Sequence, residues 1–114
     1  MVQIDTAKEN EITSLTISGD IDASSSIQLD DSLGAAVGSG TAKILINCGE
    51  LNYISSAGLG VFMSYIEEIK TKNIKMAIYG LNEKVRNVFD ILGLDQLLVI
   101  VNTEKEATDS VNEI

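Results

Sequence analysis

A chain of 114 residues, 45% hydrophobic and 22% charged, has the balance of an ordinary soluble globular domain and enough length to bury a core without staples. Its single cysteine, Cys48, permits no intrachain disulfide, and the absence of histidine removes the commonest general base and the commonest zinc ligand. A net charge of −9, from 17 acidic and 8 basic residues, repels phosphate backbones and anionic lipid, so neither nucleic acid nor membrane is expected as a partner.

The first residues carry Asp5, Lys8, Glu9 and Glu11 and form no apolar leader. No later run approaches the roughly 18 apolar residues of a membrane span. A cytoplasmic protein with one domain over residues 1–114 is expected. Val2–Ala7 and Glu11–Ser18 read as strands around the polar turn Lys8-Glu9-Asn10, with Ile12, Leu15 and Ile17 giving the second a half-buried pattern. Gly19-Asp20-Ile21-Asp22 reads as a turn leading into Ser24-Ser25-Ser26. That serine cluster precedes Ile27, Leu29, Leu33, Ala36 and Val37, the pattern of an N-cap and an amphipathic helix. Asp30 and Asp31 fall in its early turns, where the dipole favours negative charge. Gly38 and Gly40 end it.

Lys43–Ile46 is a short, nearly continuous apolar run, as in a buried parallel strand, and Asn47–Ser55 reads as a loop. Ala57–Lys72 has helical period, with Leu59, Phe62, Ile66 and Ile69 on one stripe and Glu68 and Lys72 paired on the outer side. Lys75–Tyr79 is a further strand. Asn82 caps a short helix with Val85, Val88, Phe89 and Leu92 inward, closed by Gly93. Leu97–Val101 is the last strand, and Thr103 caps a terminal helix carrying Ala107, Val111 and Ile114. The order β-β-α-β-α-β-α-β-α predicts an α/β fold: a mixed sheet of four or five strands, with right-handed crossovers and helices mainly on one face. In such sheets working loops gather past the carboxyl ends of the strands, which is where Asn47–Ser55 falls.

Within Tyr53-Ile54-Ser55-Ser56-Ala57-Gly58-Leu59-Gly60-Val61-Phe62, two serines precede a helix whose first turns hold two glycines. Each glycine costs roughly 1 kcal/mol relative to alanine in a helix interior, which suggests close approach by another surface or tight packing on the sheet. Ser is also a favoured N-cap, so capping accounts for one serine without any further role.

This stretch resembles the signature of the STAS family, the sulphate-transporter and anti-sigma-factor-antagonist domain, and in particular its single-domain antagonists. Gly19-Asp20-Ile21-Asp22 is similar to that family's Gly-Glu-hydrophobic-Asp turn. Val88-Phe89-Asp90-Ile91-Leu92-Gly93-Leu94 is similar to its hydrophobic-Phe-Asp-x-x-Gly-Leu segment. The three blocks occur in order across essentially the whole chain.

The resemblance implies a phosphorylation switch. The family's acceptor is the serine two residues before the signature glycine, which carries over to Ser56, with Ser55 as second choice. Unphosphorylated, such a protein binds an anti-sigma factor that is also a serine kinase; a metal-dependent serine phosphatase resets it. The chain would be a kinase substrate and not an enzyme. Asp22, Ser24, Ser25, Tyr53, Ser55, Ser56, Ala57, Gly58 and Leu59 are the expected partner-binding residues. The sequence departs from the family at Ser55, where Asp is usual. The alternative is a constitutive STAS subunit of a transporter or signalling assembly, using the same surface without phosphorylation.

No metal and no cofactor are expected. Asp20, Asp22, Asp30 and Asp31 lack the spacing of a calcium loop, and Gly58 and Gly60 without a nearby basic residue fall short of a phosphate loop. Cys48 reads as a packing residue, Phe62 and Phe89 as core, and Lys84 and Arg86 as solvated charges.

Overall fold

In the computed structural model, residues 2–113 are described. β1 (Val2–Glu9) turns into β2 (Ile12–Ile21), α1 (Ser26–Gly38) follows, then β3 (Lys43–Ile54) and α2 (Ser56–Thr71). β4 (Lys75–Tyr79), α3 (Glu83–Ile91), a short 3-10 turn (Leu94–Gln96), β5 (Val99–Val101) and α4 (Glu104–Asn112) complete the chain. The five strands lie in the order β1-β2-β3-β4-β5. Only β1 runs antiparallel to its neighbour. The hairpin turn places both Asn10 (φ 51°) and Glu11 (φ 68°) in the left-handed region, the geometry that matches the twist of two paired strands.

Strand alternation explains the layers. Ile44 and Ile46 face one side, where they join Leu29 and Leu33 of α1, Leu59 and Phe62 of α2 and Phe89 of α3. The rings of Phe62 and Phe89 sit 5.8 Å apart at a tilt of 57°, a favourable aromatic geometry. Leu45 faces the other side and meets Ala107 and Val111 of α4, with Ala77 and Tyr79 of β4. A strand covered on both faces reads as a continuous apolar run, as Lys43–Ile46 does. Cys48 is fully buried, and burial pushes its thiol up to about 12, so it acts as a packing group.

Several expectations are corrected. Asn47–Ser55 is not a loop: β3 continues to Ile54, with Glu50, Leu51, Tyr53 and Ile54 opposite Ser18, Gly19, Asp20 and Ile21. Likewise Gly19–Ile21 is strand, not turn. Register shifts between Thr16 and Ser18 and between Gly19 and Asp20 break the period of two, which hides both extensions from the sequence. β5 is only Val99–Val101, because Leu97 and Leu98 close the 3-10 turn instead, both N–H groups donating to the Leu94 carbonyl. Ile27 is 65% exposed and Leu92 50%. Ile27 lies two residues before Leu29, off the stripe of Leu29, Leu33 and Ala36, and Leu92 is the C-cap of α3. Ile66 is half-buried. Asp30 and Asp31 lie past the first turn of α1, which holds no acidic residue. Ile114 lies outside the described residues. Glu68 and Lys72 pair at 2.8 Å as expected, and Arg86, read as solvated, pairs with Asp90 at 3.1 Å.

Candidate functional site

β2 and β3 end side by side at Ile21 and Ile54, and the serine pair begins there. The Ser55 N–H donates to the Ile21 carbonyl at 2.8 Å, which fixes the start of α2 against the end of β2. Ser55 is extended (φ −81°, ψ 168°), and its hydroxyl accepts from the Gly58 N–H at 3.2 Å. It is therefore the N-cap, satisfying one of the helix's unpaired donors. Ser56 is the first helical residue and is exposed. Among the described residues its hydroxyl has no hydrogen-bond partner, and the Ser56 and Ala57 N–H groups have no backbone acceptor. No acidic side chain occupies the first turn. A negative group on Ser56 would thus meet open donors and the positive end of the dipole.

The two glycines differ. A methyl at Gly58 would come within 2.7 Å of Ile54 Cγ1 and 2.8 Å of Ile21 Cγ2, so this glycine lets α2 close onto the ends of β2 and β3. Gly60 is exposed, with nothing within 4 Å of the corresponding position. Gly58 and Leu59 are buried, Leu59 to 2% exposure. These two residues, expected at the partner surface, instead fasten the helix to the sheet. Tyr53 (53% exposed) and Ala57 remain outward.

The segment before α1 is a closed turn. The Asp22 carboxylate accepts from the Ser25 N–H (2.8 Å) and the Ser24 hydroxyl (2.8 Å), and the Ser25 hydroxyl reaches the same oxygen at 2.9 Å. In return the Asp22 N–H donates to the Ser25 hydroxyl at 2.8 Å. Ser25 holds the N-cap position of α1 but makes no side-chain cap, because its oxygen accepts from the Asp22 N–H instead and its backbone is helical (φ −79°, ψ −10°) where a cap is extended. Those bonds, led by the Ser25 N–H and followed by the Ser24 hydroxyl, hold the Asp22 carboxyl down at about 2. Tyr65 ties α1 to α2: its hydroxyl donates to the Asp30 carboxylate at 2.6 Å. That bond is the main reason its own ionisation is pushed up to about 12. Gly34 makes room for it, since a methyl there would lie 2.6 Å from the Tyr65 oxygen. This link was not among the expected site features; no sequence signal marks a bond spanning 35 positions. Among the described residues no group of three or more Cys, Asp or Glu is placed to hold a metal, and no helix is long and apolar enough to cross a membrane.

Residues 3–107 match the STAS domain family, and the chain belongs to it. An anti-sigma-B factor antagonist of Listeria monocytogenes is 24% identical over 99 residues, covering 87% of each chain. The crystal structure of an anti-sigma factor antagonist from Mycobacterium paratuberculosis superposes with a TM-score of 0.91 at 18% identity, covering 99% of this chain and 96% of that one. The Bacillus cell fate determinant SpoIIAA in its phosphorylated form gives a TM-score of 0.71 at 22% identity, covering 98% of this chain and 100% of that one.

Proposed function

We propose that this protein is an anti-sigma-factor antagonist working as a phosphorylation-controlled partner switch in the cytoplasm. Unphosphorylated, it binds an anti-sigma factor that is also a serine kinase; phosphorylation of Ser56 releases it, and a metal-dependent serine phosphatase restores it. In this reading the chain is a substrate and not an enzyme. The observation that carries the assignment is the division between the two serines. Ser55 is occupied as the helix cap, while Ser56 offers a free hydroxyl on the exposed first turn. Family membership and the names of the relatives support it.

The chemistry fits the place. A phosphoserine brings about −1.5 to −2 charges at neutral pH, which the helix start accommodates. The effect falls on the partner, since bulk and charge enter a packed interface formed around Ser56, Ala57 and Tyr53, with Asp22, Ser24 and Ser25 alongside. A coupling of about 3 kcal/mol there changes affinity more than a hundredfold, without any refolding. The test is binding of the purified kinase partner to wild type and to Ser56→Asp, with circular dichroism as a fold check. Weaker binding by a still-folded variant supports the switch. Equal binding by both proteins favours the constitutive subunit, the reading prompted by Ser55 standing where the family usually has Asp.

A further inference from the structure

β4 accompanies β3 only from Lys75 to Tyr79, opposite Lys43 to Asn47. Gly80, in the left-handed region (φ 83°), then turns the chain away towards α3. From Cys48 to Ile54, β3 therefore has β2 on one side and, among the described residues, no strand on the other. Such an edge presents main-chain groups that a further strand would satisfy. One of them is met by a side chain: Asn82 Nδ2 donates to the Leu51 carbonyl at 3.2 Å, as the N–H of a neighbouring strand would. Another is left open. The Ser55 N–H donates to Ile21 on the β2 side, and successive N–H groups along a strand point to opposite edges, so the Ile54 N–H points away from β2. Among the described residues no main-chain acceptor outside the β2–β3 ladder reaches it, although Ile54 is only 4% exposed. Main-chain donors buried to that degree are nearly always paired. Ile54 also lines a cleft of about 390 Å³, with Asn52 and Tyr53 beside it and Lys84, Val85 and Val88 of α3 opposite.

We infer that this cleft takes an extended segment of the anti-sigma partner, added as a short strand along the open edge of β3, with an apolar side chain set between Tyr53 and Val88. The inference rests on the partner-switch reading and specifies how the partner holds on. An extended segment is required because the Ile54 N–H calls for a main-chain carbonyl alongside it. An apolar side chain is required because Tyr53, Ile54, Val85 and Val88 carry no charge. The partner itself is placed by continuity: Tyr53, half exposed, and Ile54 run directly into Ser55 and Ser56, so a body covering Ser56 lies at the mouth of the cleft. In strand addition the main-chain bonds supply affinity and the side-chain pocket supplies specificity. The cleft thus selects which kinase engages, and Ser56 sets when it lets go.

The test follows amide hydrogen exchange in the isotope-labelled full chain, alone and with the purified kinase partner, beside affinity measurements on Val88→Glu and Ser56→Asp. In the complex the Ile54 amide should exchange at least about tenfold more slowly than in the free chain. Val88→Glu puts a charge into the cleft wall and should bind about tenfold more weakly while keeping its native circular dichroism. Ile54 exchange that is equal in the free and bound chain, or Val88→Glu binding as wild type does, overturns the inference. If Ser56→Asp still weakens binding in that case, the switch stands without the added strand. Ile54 protection with binding indifferent to Ser56→Asp supports the added strand and removes the switch. Protection already present in the free chain and lost on dilution assigns the edge to a second copy and overturns the inference. Absence of any binding by the wild type overturns both.

Discussion

Two serine-rich helix starts lie in this molecule, and they resolve differently. Before α1, all three serines are spoken for: Ser24 and Ser25 bond to Asp22, and the Ser26 hydroxyl donates to the Ala23 carbonyl at 2.7 Å. Before α2, Ser55 alone is used and Ser56 is left open. The difference comes from Asp22, whose carboxylate gathers hydroxyls that would otherwise point outward or cap. A run of serines is therefore not itself a reactive surface; what counts is whether a stronger acceptor stands beside it.

The largest effect that sharpens this contrast is steric. Gly58→Ala drives a methyl into Ile54 and Ile21 and should destabilise by about 1–3 kcal/mol, read as a lower denaturant midpoint. Gly60→Ala enters open space and should stabilise the helix by up to about 1 kcal/mol. Equal effects of the two would mean that α2 does not close on the strand ends as described. Next comes the cap: Ser55→Ala should cost about 1 kcal/mol, whereas Ser56→Ala should stay within about 0.5 kcal/mol. A reversed order would exchange the roles of the two serines.

The smallest effect concerns pH at the other helix start. Because the folded Asp22 carboxyl is held at about 2, below its unfolded value near 3.9, its contribution is complete above that unfolded value. It is lost as pH falls through the folded one. An NMR titration should give Asp22 a midpoint near 2, and Ser24→Ala combined with Ser25→Ala should move it upward. A midpoint at the ordinary carboxylate value in wild type would mean that the turn is open in solution.

Much of the fold was legible from periodicity. Lys75–Tyr79 announces a strand because it is buried on both faces and reads as a continuous apolar run, and α2 announces a helix by its apolar stripe. The last three residues of β2 and the part of β3 beyond Ile46 were not legible, since two register shifts interrupt their pairing and Gly49, Glu50 and Asn52 imitate a loop. Asn82 and Thr103 were readable as caps, and both act as caps, through the N–H groups of Val85 and Glu106. At the site, the serine pair was visible, yet which serine caps depends on backbone angles that composition does not carry. The reason for a glycine at position 34, the Tyr65 hydroxyl, lies on another helix and leaves no local signal.

The most direct test of the central claim is the position of the phosphate after incubation with the cognate kinase and ATP. Peptide mass spectrometry should find one phosphate, on Ser56, with Ser56→Ala abolishing it and keeping the native circular dichroism. Phosphate on Ser55 alone would contradict the division of roles between cap and acceptor, and no phosphate on either serine would contradict the switch itself.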